Sequence, residues 1–532
     1  MAYVIINDTH LKAIADALRA KGTTDVYKPR DMAEAIEGFS IGGYNGLLGK
    51  YFNGVDVPGA AVEVMLKDCL DDDGTMFIPD GMWSGKTIQG SVVIPFGLTE
   101  VPANAFKDVE GITNVSFPYG LLVIGDSAFQ NAINSNRDII ISGDIQTIGA
   151  KAFYDSTFHQ LGLNGDITVG DYAFGHEKYS NNTSALEEIT LNGNITFGKY
   201  VFQNNTALTT VNGVVTNVPE GLFCGCCELT GVSLSDDVET IEAKAFYYTG
   251  LIEITIPPNV ISIGNQAFYG CDRPITSVEP YPMFTITLND KLETIGDEAF
   301  YGCQHMYEIT LPDSLKTIGY RAFYNTALHE ITIPGSIKYI PQETFHYCGH
   351  LEKIKLNEGL EAIGARAFAN TGTIFYSVVC PSTLRSIETG AFANSTLYSI
   401  SLNEGLETIG DGAFADTPMT GLGCPSTLTS FDTNIVSNSN SQLGVLEFKL
   451  SPNHKLNFTG SPLMMDGSGY VRNQIIFKGQ GKIPKSASYY LFSHSSVNNA
   501  NTTISVPWSE SENPVGFPWG ATNATIKYNN GL

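Results

Sequence analysis

Three groups of residues carry side chains from which a metal or catalytic site could be built. Cys224, Cys226 and Cys227 put three thiols within four positions, and His346-Tyr-Cys348-Gly-His350 puts a thiol between two imidazoles. Both are the soft sulfur and nitrogen donors that zinc takes, but a closed zinc site needs a second ligand pair at matching spacing, and none stands near the cysteine cluster. Asp71-Asp72-Asp73-Gly74 suggests calcium. A calcium loop alternates its acids and ends in a bidentate Glu, and this run does neither, so it reads as a solvated turn. Two well-placed carboxylates suffice for glycoside hydrolysis. Here Glu253, Glu308 and Glu330 recur at one position of a repeating pattern, as a solvated face requires. The chain holds neither a phosphate loop nor a His-Glu-x-x-His pair. No catalytic, cofactor-binding or metal residue is assigned, no cofactor is expected, and the chain is read as non-enzymatic.

The elements that position these residues are set by a recurring phrase, Leu-x-x-Ile-Gly-x-x-Ala-Phe followed by Leu-x-x-Ile-x-Leu-Pro. Clean copies run from Leu292 to Phe300, Leu315 to Phe323, Leu360 to Phe368 and Leu406 to Phe414. The closing Phe falls at 106, 129, 153, 174, 202, 223, 246, 268, 300, 323, 345, 368, 392 and 414, at intervals of 21 to 32 residues. A period in the twenties marks a leucine-rich solenoid, in which stacked coils bury a core that no single repeat could bury. With strands about 4.8 Å apart, the coils would extend on the order of 65 Å. Alternation within Leu-x-x-Ile-x-Leu sends Leu351, Ile354 and Leu356 inward and Lys353 and Lys355 outward. Pro257, Pro312 and Pro334 end strands where no further ladder donor is wanted. In the return segment Gly is expected to permit a tight bend, Ala to fit under the neighbouring coil and Phe to fill the axis. Cys226, Cys271, Cys303 and Cys348 lie three residues after a repeat Phe, and Cys380 and Cys424 precede Pro. These are ladder positions, so the thiols read as small buried hydrophobes.

The fold class is therefore mainly β: a leucine-rich repeat solenoid over 98–436, with an N-terminal α-helical hairpin and a β-rich C-terminal cap. The hairpin is expected over 1–44, where Leu11, Ile14, Ala15 and Leu18 run at helical spacing to Gly22, and Pro29 opens a second helix with Met32, Ala33 and Ile36 on one face. Its apolar stripes need a partner, such as another copy or another protein. Residues 45–97 read as a capping region over the first repeat. The longest intervals hold insertions, at Gly175 to Ser184 and at Asp272 to Phe284, which leave as loops. Residues 437–532 read as degenerate coils with a β-rich cap, since terminal repeats meet water on one side. Trp508 and Trp519 in this cap either lock it or present a flat ring to a sugar.

Composition narrows the partners. With 30 basic and 55 acidic residues the formal charge is −25, which repels phosphate backbones and anionic membranes. Nucleic acid and membrane are not expected partners. No secretory signal is read at Met1 to Asn7 and no apolar run is long enough to span a bilayer, so manufacture in a cytoplasm without conventional export is expected. The outward pairs Glu253/Thr255, Glu308/Thr310, Glu330/Thr332 and Lys353/Lys355, with Trp508 and Trp519, are the candidate ligand contacts.

The phrase Ile295-Gly-Asp-Glu-Ala-Phe300-Tyr-Gly-Cys303 resembles the BspA-like leucine-rich repeat class of bacterial surface proteins. That resemblance covers about 98 to 436 and implies adhesins on cell surfaces. Leu11 to Lys21 with Asp31 to Ile36, and Ile504 to Trp508 with Pro518 to Ile526, resemble the two ends of structural proteins from phages of Gram-positive bacteria. The second resemblance implies a virion protein of the tail-fibre or receptor-binding type, assembled in the bacterial host cytoplasm. It would attach to other virion proteins through its N-terminal helices as a homo-oligomer, and offer its solenoid to a host cell-surface glycan or protein. A bacterial cell-surface adhesin and an envelope polysaccharide-degrading enzyme are the alternatives.

Overall fold

The computed structural model describes residues 57–58, 78, 81–133, 138–141, 144–177, 185–271, 283–374, 376–432, 444–451, 457–459, 474–479, 503–513 and 525–528. The chain divides into two compact units. The first comprises Met1–Val238, Ala245–Leu251 and Pro274–Thr276, and the second Glu239–Lys244, Ile252–Arg273 and Ser277–Leu532.

Both units are built from coils whose strands pair only with the equivalent strand of a neighbouring coil, in parallel. In the first unit Ile139–Ile141, Gln160–Asn164, Glu188–Asn192 and Thr210–Asn212 form one sheet, while Glu100–Val101, Val123–Ile124, Thr147–Ile148, Ile167–Val169 and Ile195–Phe197 form another. In the second unit the short Thr-Ile strands stack likewise, Thr240–Ile241 through Thr317–Ile318 and Tyr339–Ile340 through Asn457–Thr459. From Gly421–Cys424 a parallel sheet continues through Val445–Leu450, Gln474–Gly479, Thr503–Ser505 and Thr525–Lys527. Strict alternation explains the faces: Lys353–Leu356 runs exposed, buried, exposed, buried, with Ile354 and Leu356 inward.

The return segment holds the core together. Phe268, Phe300, Phe323, Phe345, Phe368, Phe392 and Phe414 are buried in the second unit. Phe300 and Phe323 stack with centroids 5.3 Å apart and planes 8° apart, and Phe345 lies 5.3 Å beyond Phe323. The first unit has its own stack from Phe106 to Phe246, and it begins earlier than the Phe count predicts. Trp83, fully buried, stacks on Phe106 at 5.0 Å. Around each ring the chain is a run of turns. Alternate N–H groups close local turns, such as Tyr301 N to Glu298 O at 3.1 Å. The others reach the next coil: the N–H groups of Glu298, Phe300 and Gly302 donate to the carbonyls of Tyr320, Ala322 and Tyr324, each at 2.8 Å. Aiming those donors along the stack requires left-handed backbone two residues either side of the Phe, as at Arg321 (φ 52°) and Asn325 (φ 56°).

Two expectations are corrected. Among the described residues there is no α-helix, only one 3-10 turn at Glu510–Glu512, so the fold is a parallel β solenoid and its helical component is withdrawn. The helices read over 1–44 lie outside the described residues. Nor does the Gly of Ile-Gly make a bend, for its φ is not positive. A Cβ on Gly319 would stand 2.3 Å from the backbone nitrogen of Asp297, and one on Gly149 2.5 Å from that of Asp126. Glycine is needed because one coil's backbone lies directly on the next.

The residue three places after the Phe has a polar role that its apolar reading missed. Thr371 Oγ1 donates to the Phe368 carbonyl at 2.8 Å, and Thr417 Oγ1 to that of Phe414 at 2.8 Å. Cys348 Sγ donates across to the Phe323 carbonyl at 3.0 Å and Cys303 Sγ to that of Phe268 at 3.1 Å. The thiols are buried as expected, but they also donate to core carbonyls, beside the bonds those carbonyls already accept from Cys271 N (Phe268) and Thr326 Oγ1 (Phe323).

Candidate functional site: the outward strand face of the second unit

Parallel, in-register pairing places equivalent residues side by side, whatever the length of the coil between them. Glu253 and Thr255 pair with Thr285 and Thr287, and Glu330 and Thr332 with Lys353 and Lys355. All eight side chains point outward and are exposed. Lys353 Nζ donates to Glu330 Oε2 at 2.6 Å. That hydrogen bond, and then the lysine's charge, hold the Glu330 carboxyl below the usual carboxylate range. Glu308 and Thr310 are exposed too, although the chain there forms no strand. The structure thus brings Glu330, Thr332, Lys353 and Lys355 together on paired strands, with Glu308 and Thr310 on the preceding coil, whose Tyr307 carbonyl accepts from His329 N at 3.0 Å, and with Glu253 and Thr255 on a separate strand pair. Trp508 sits apart: the residue is 8% exposed, its ring lies 6.2 Å from Phe477, and its Nε1 donates to Asn513 Oδ1 at 3.1 Å. It packs into the terminal sheet and offers no flat face to a ligand. Trp519 lies outside the described residues, as do Asn181, Asn182 and Tyr281-Pro282 of the insertions and the run Asp71 to Asp73.

Alternation-based reading missed part of this face. The strand Tyr376–Val379 lies beside Leu397–Ser401 in the register Tyr376↔Leu397 but Ser377↔Ser399. Tyr398 is the extra residue of a β-bulge, and it and Ser399 are both exposed in succession. A bulge re-aims a side chain that strict alternation would bury. Val379 is 69% exposed and Tyr398 45%. Along the strand's leading edge Tyr307 stacks on His329 at 5.4 Å, and His350 follows at 6.0 Å. Recurrence of an aromatic just before Glu308 and Glu330 was the available signal.

A second polar strip runs along the turns that carry the Phe stack. Glu343, only 4% exposed, accepts from Arg321 Nε at 2.6 Å and from Gln342 at 3.2 Å, with Arg366 Nη1 at 3.8 Å and His346 Nδ1 at 3.9 Å. Burial pushes the Glu343 carboxyl up, but the hydrogen bonds from Arg321 and Gln342 and the arginine's charge outweigh it, and the net shift is downward. Burial pushes His346 down, and Arg366 and Arg321 add to this against the pull of Glu343. His346 Nε2 meets Asn370 Nδ2 at 2.9 Å, while its buried Nδ1 has no hydrogen-bond partner. This strip fastens coils to one another through Glu343. Burial raises the Cys348 thiol to about 11, so it stays protonated and is a poor metal ligand. Among the described residues no three His, Cys, Asp or Glu side chains are placed to hold a metal ion.

Parallel coils of about two dozen residues, most of them closed by Ala-Phe, match the BspA type leucine rich repeat region over residues 77–209, 177–275, 281–377 and 372–456, which together exceed two thirds of the chain. The chain belongs to the BspA-type leucine-rich repeat family. The match begins before Trp83, in accord with that residue opening the stack. No catalytic family is indicated for this BspA-type protein, and no curated protein matches it. Among solved structures, a leucine-rich repeat protein from Bacteroides ovatus is 21% identical over 64% of this chain and 78% of that one, with a TM-score of 0.44. A leucine rich cell surface protein from Faecalibacterium prausnitzii is 21% identical over 71% and 92%, with a TM-score of 0.28. The pneumococcal vaccine antigen PcpA is 17% identical over 84% and 94%, with a TM-score of 0.33. The assignment rests on the family match and on the coils, not on these three likenesses.

Proposed function

We propose that this BspA-type protein is a non-enzymatic adhesin, presented at a bacterial cell surface, that holds a glycan or protein of another surface through the outward strand face of its second unit. One observation carries the reading. The buried side of each coil is nearly invariant, whereas the exposed side changes from Glu/Thr to Lys/Lys to Ser/Val and Ser/Ser within five coils. The exposed side can therefore be shaped for a ligand without disturbing the core. Many such weak contacts become firm attachment when many copies are displayed. The virion attachment expected from the two ends gains nothing from the family match, which covers neither end.

The test is attachment of the labelled full chain to intact bacterial and mammalian cells. Saturable attachment is expected, weakened about tenfold or more when Lys353, Lys355 and Tyr398 are replaced together, with the denaturation midpoint unchanged. Attachment indifferent to that triple replacement, or no saturable attachment to any surface, overturns the reading.

A further inference from the structure

We propose that Lys355, Ser377, Val379, Tyr398 and Ser399 form a subsite for an acidic sugar, a uronate ring within an extended glycan. The proposal rests on the strand-face reading and names the ligand class at one part of it. Four observations converge there. First, the charge inverts. The chain carries −25, and the rungs before this point present Glu253, Glu308 and Glu330. Lys353 is neutralised by Glu330, but exposed Lys355 has no ion-pair partner among the described residues. It is a single cation suited to one carboxylate. Second, Ser399 Oγ donates to Ser377 Oγ at 2.7 Å, making a hydroxyl pair on the surface that can both give and accept toward sugar hydroxyls. Third, Val379 and Tyr398 present apolar and aromatic surface beside those hydroxyls, the combination on which the C–H face of a sugar ring packs. Fourth, the bulge that lifts Tyr398 outward interrupts an otherwise regular alternation, and bulges of this kind concentrate where a side chain is being aimed.

A polypeptide fits less well. Peptides that bind sheets add a strand to an open edge. Here Tyr376–Val379 is hydrogen-bonded to Leu397–Ser401 on one side, and Lys353–Leu356 packs against its other side without a ladder between them, so neither edge is open to an added strand.

The experiment titrates the full chain with an oligogalacturonate of defined length and with the neutral galactan of equal length. The acidic oligomer is expected to bind at least tenfold more tightly, and more weakly as salt rises. Tyr398→Ala should weaken both oligomers about tenfold. Lys355→Gln should remove the preference for the acidic oligomer while leaving neutral binding in place. Thr255→Ala, outside the subsite, should change neither. Equal affinity for the two oligomers, insensitivity to Tyr398→Ala and Lys355→Gln in chains whose unfolding midpoint is unaltered, or cross-linking of a polypeptide at Tyr398 by a chain that ignores the uronate, overturns the subsite. A chain that attaches to cells but ignores oligogalacturonate defeats the subsite and spares the adhesin reading. A chain that binds the uronate but attaches to no cell does the reverse.

Discussion

Two strips of the second unit obey opposite rules. Along the turns, the same ring returns at Phe268, Phe300, Phe323, Phe345, Phe368, Phe392 and Phe414, all buried. Along the strands, outward positions pass from Glu330 and Thr332 to Lys353 and Lys355, then to Ser377 and Val379. The difference lies in what each side chain meets. A ring in the stack meets an identical ring above and below, so any change disturbs two interfaces at once. An outward side chain meets water and at most one neighbour across the ladder, so its identity is open to other demands. Sameness in a repeat protein therefore locates the scaffold, and departure from sameness locates the candidate for recognition.

The stack is the place to break the comparison with the largest effect. Phe323→Ala removes a ring sandwiched at 5.3 Å on both sides and should cost about 3–5 kcal/mol, read as a shift in the urea midpoint. Thr332→Ala, on the outward face of the following coil, should shift it by less than about 0.5 kcal/mol. Comparable losses at the two positions would end the distinction between scaffold and face. Glycine gives a sharper version. Gly319→Ala forces a Cβ to within 2.3 Å of a neighbouring coil's backbone nitrogen and should cost about 3 kcal/mol. Gly302→Ala has open space around it and only the strain of φ 74°, costing about 1 kcal/mol. If the order is reversed, conformational freedom and not close approach explains the Ile-Gly dipeptide.

What could be read in advance follows the same division. The Phe period, the inward Ile354 and Leu356 and the outward Lys353 and Lys355 were legible because each follows from recurrence or alternation alone. The ladder contact of Glu330 with Lys353 was implicit in their spacing of one coil. Trp83 does not show in the Phe period, because a different ring stands at that position. Yet Ile78-Pro-Asp-Gly-Met-Trp83 parallels Val218-Pro-Glu-Gly-Leu-Phe223 residue for residue in type. The role of Gly319 was misread because a glycine's sequence context does not say whether its φ or its missing Cβ matters. Tyr398 was invisible for a different reason: a bulge depends on the register of two strands, and no single strand encodes it. The helical reading of 1–44 used spacing that nothing in the described fold takes up.

The Arg321–Glu343–His346 cluster, with Glu343 and His346 buried, sharpens the comparison at intermediate size, because it ties coils through charge and not through rings. Glu343 is held below its ordinary value, so its contribution is present above the unfolded carboxylate pKa and lost as pH falls through the folded one. His346 is also held below its ordinary value, and the unfolded chain takes up its proton first, so stability falls as pH drops below the usual histidine range. Both signs agree: acid loosens this cluster. Lowering the pH from about 8 to about 5 should reduce the thermal midpoint, and His346→Gln should flatten that dependence with the lower, carboxylate limb preserved. An unchanged slope in the His346→Gln chain would show that the histidine is not the group being titrated. Tyr324 and Tyr347 face the same ring, Arg366 lies 3.8 Å from Glu343, and all three stay in place in this variant.

The smallest expected effect is the most diagnostic of the strand face. Glu330 and Lys353 make a short, well-formed ion pair, yet both are more than 60% exposed, and solvent screening leaves such pairs little net stability. Glu330→Gln should leave the urea midpoint where it was. It should nevertheless change what the face presents, because Lys353 then stands beside Lys355 without its counter-charge and a second cation becomes available to an anionic ligand. Tighter binding of an oligogalacturonate with a steeper salt dependence is therefore expected from a substitution that stability measurements cannot detect. If the midpoint falls instead, the pair belongs to the scaffold, and the contrast between the two strips has been drawn in the wrong place.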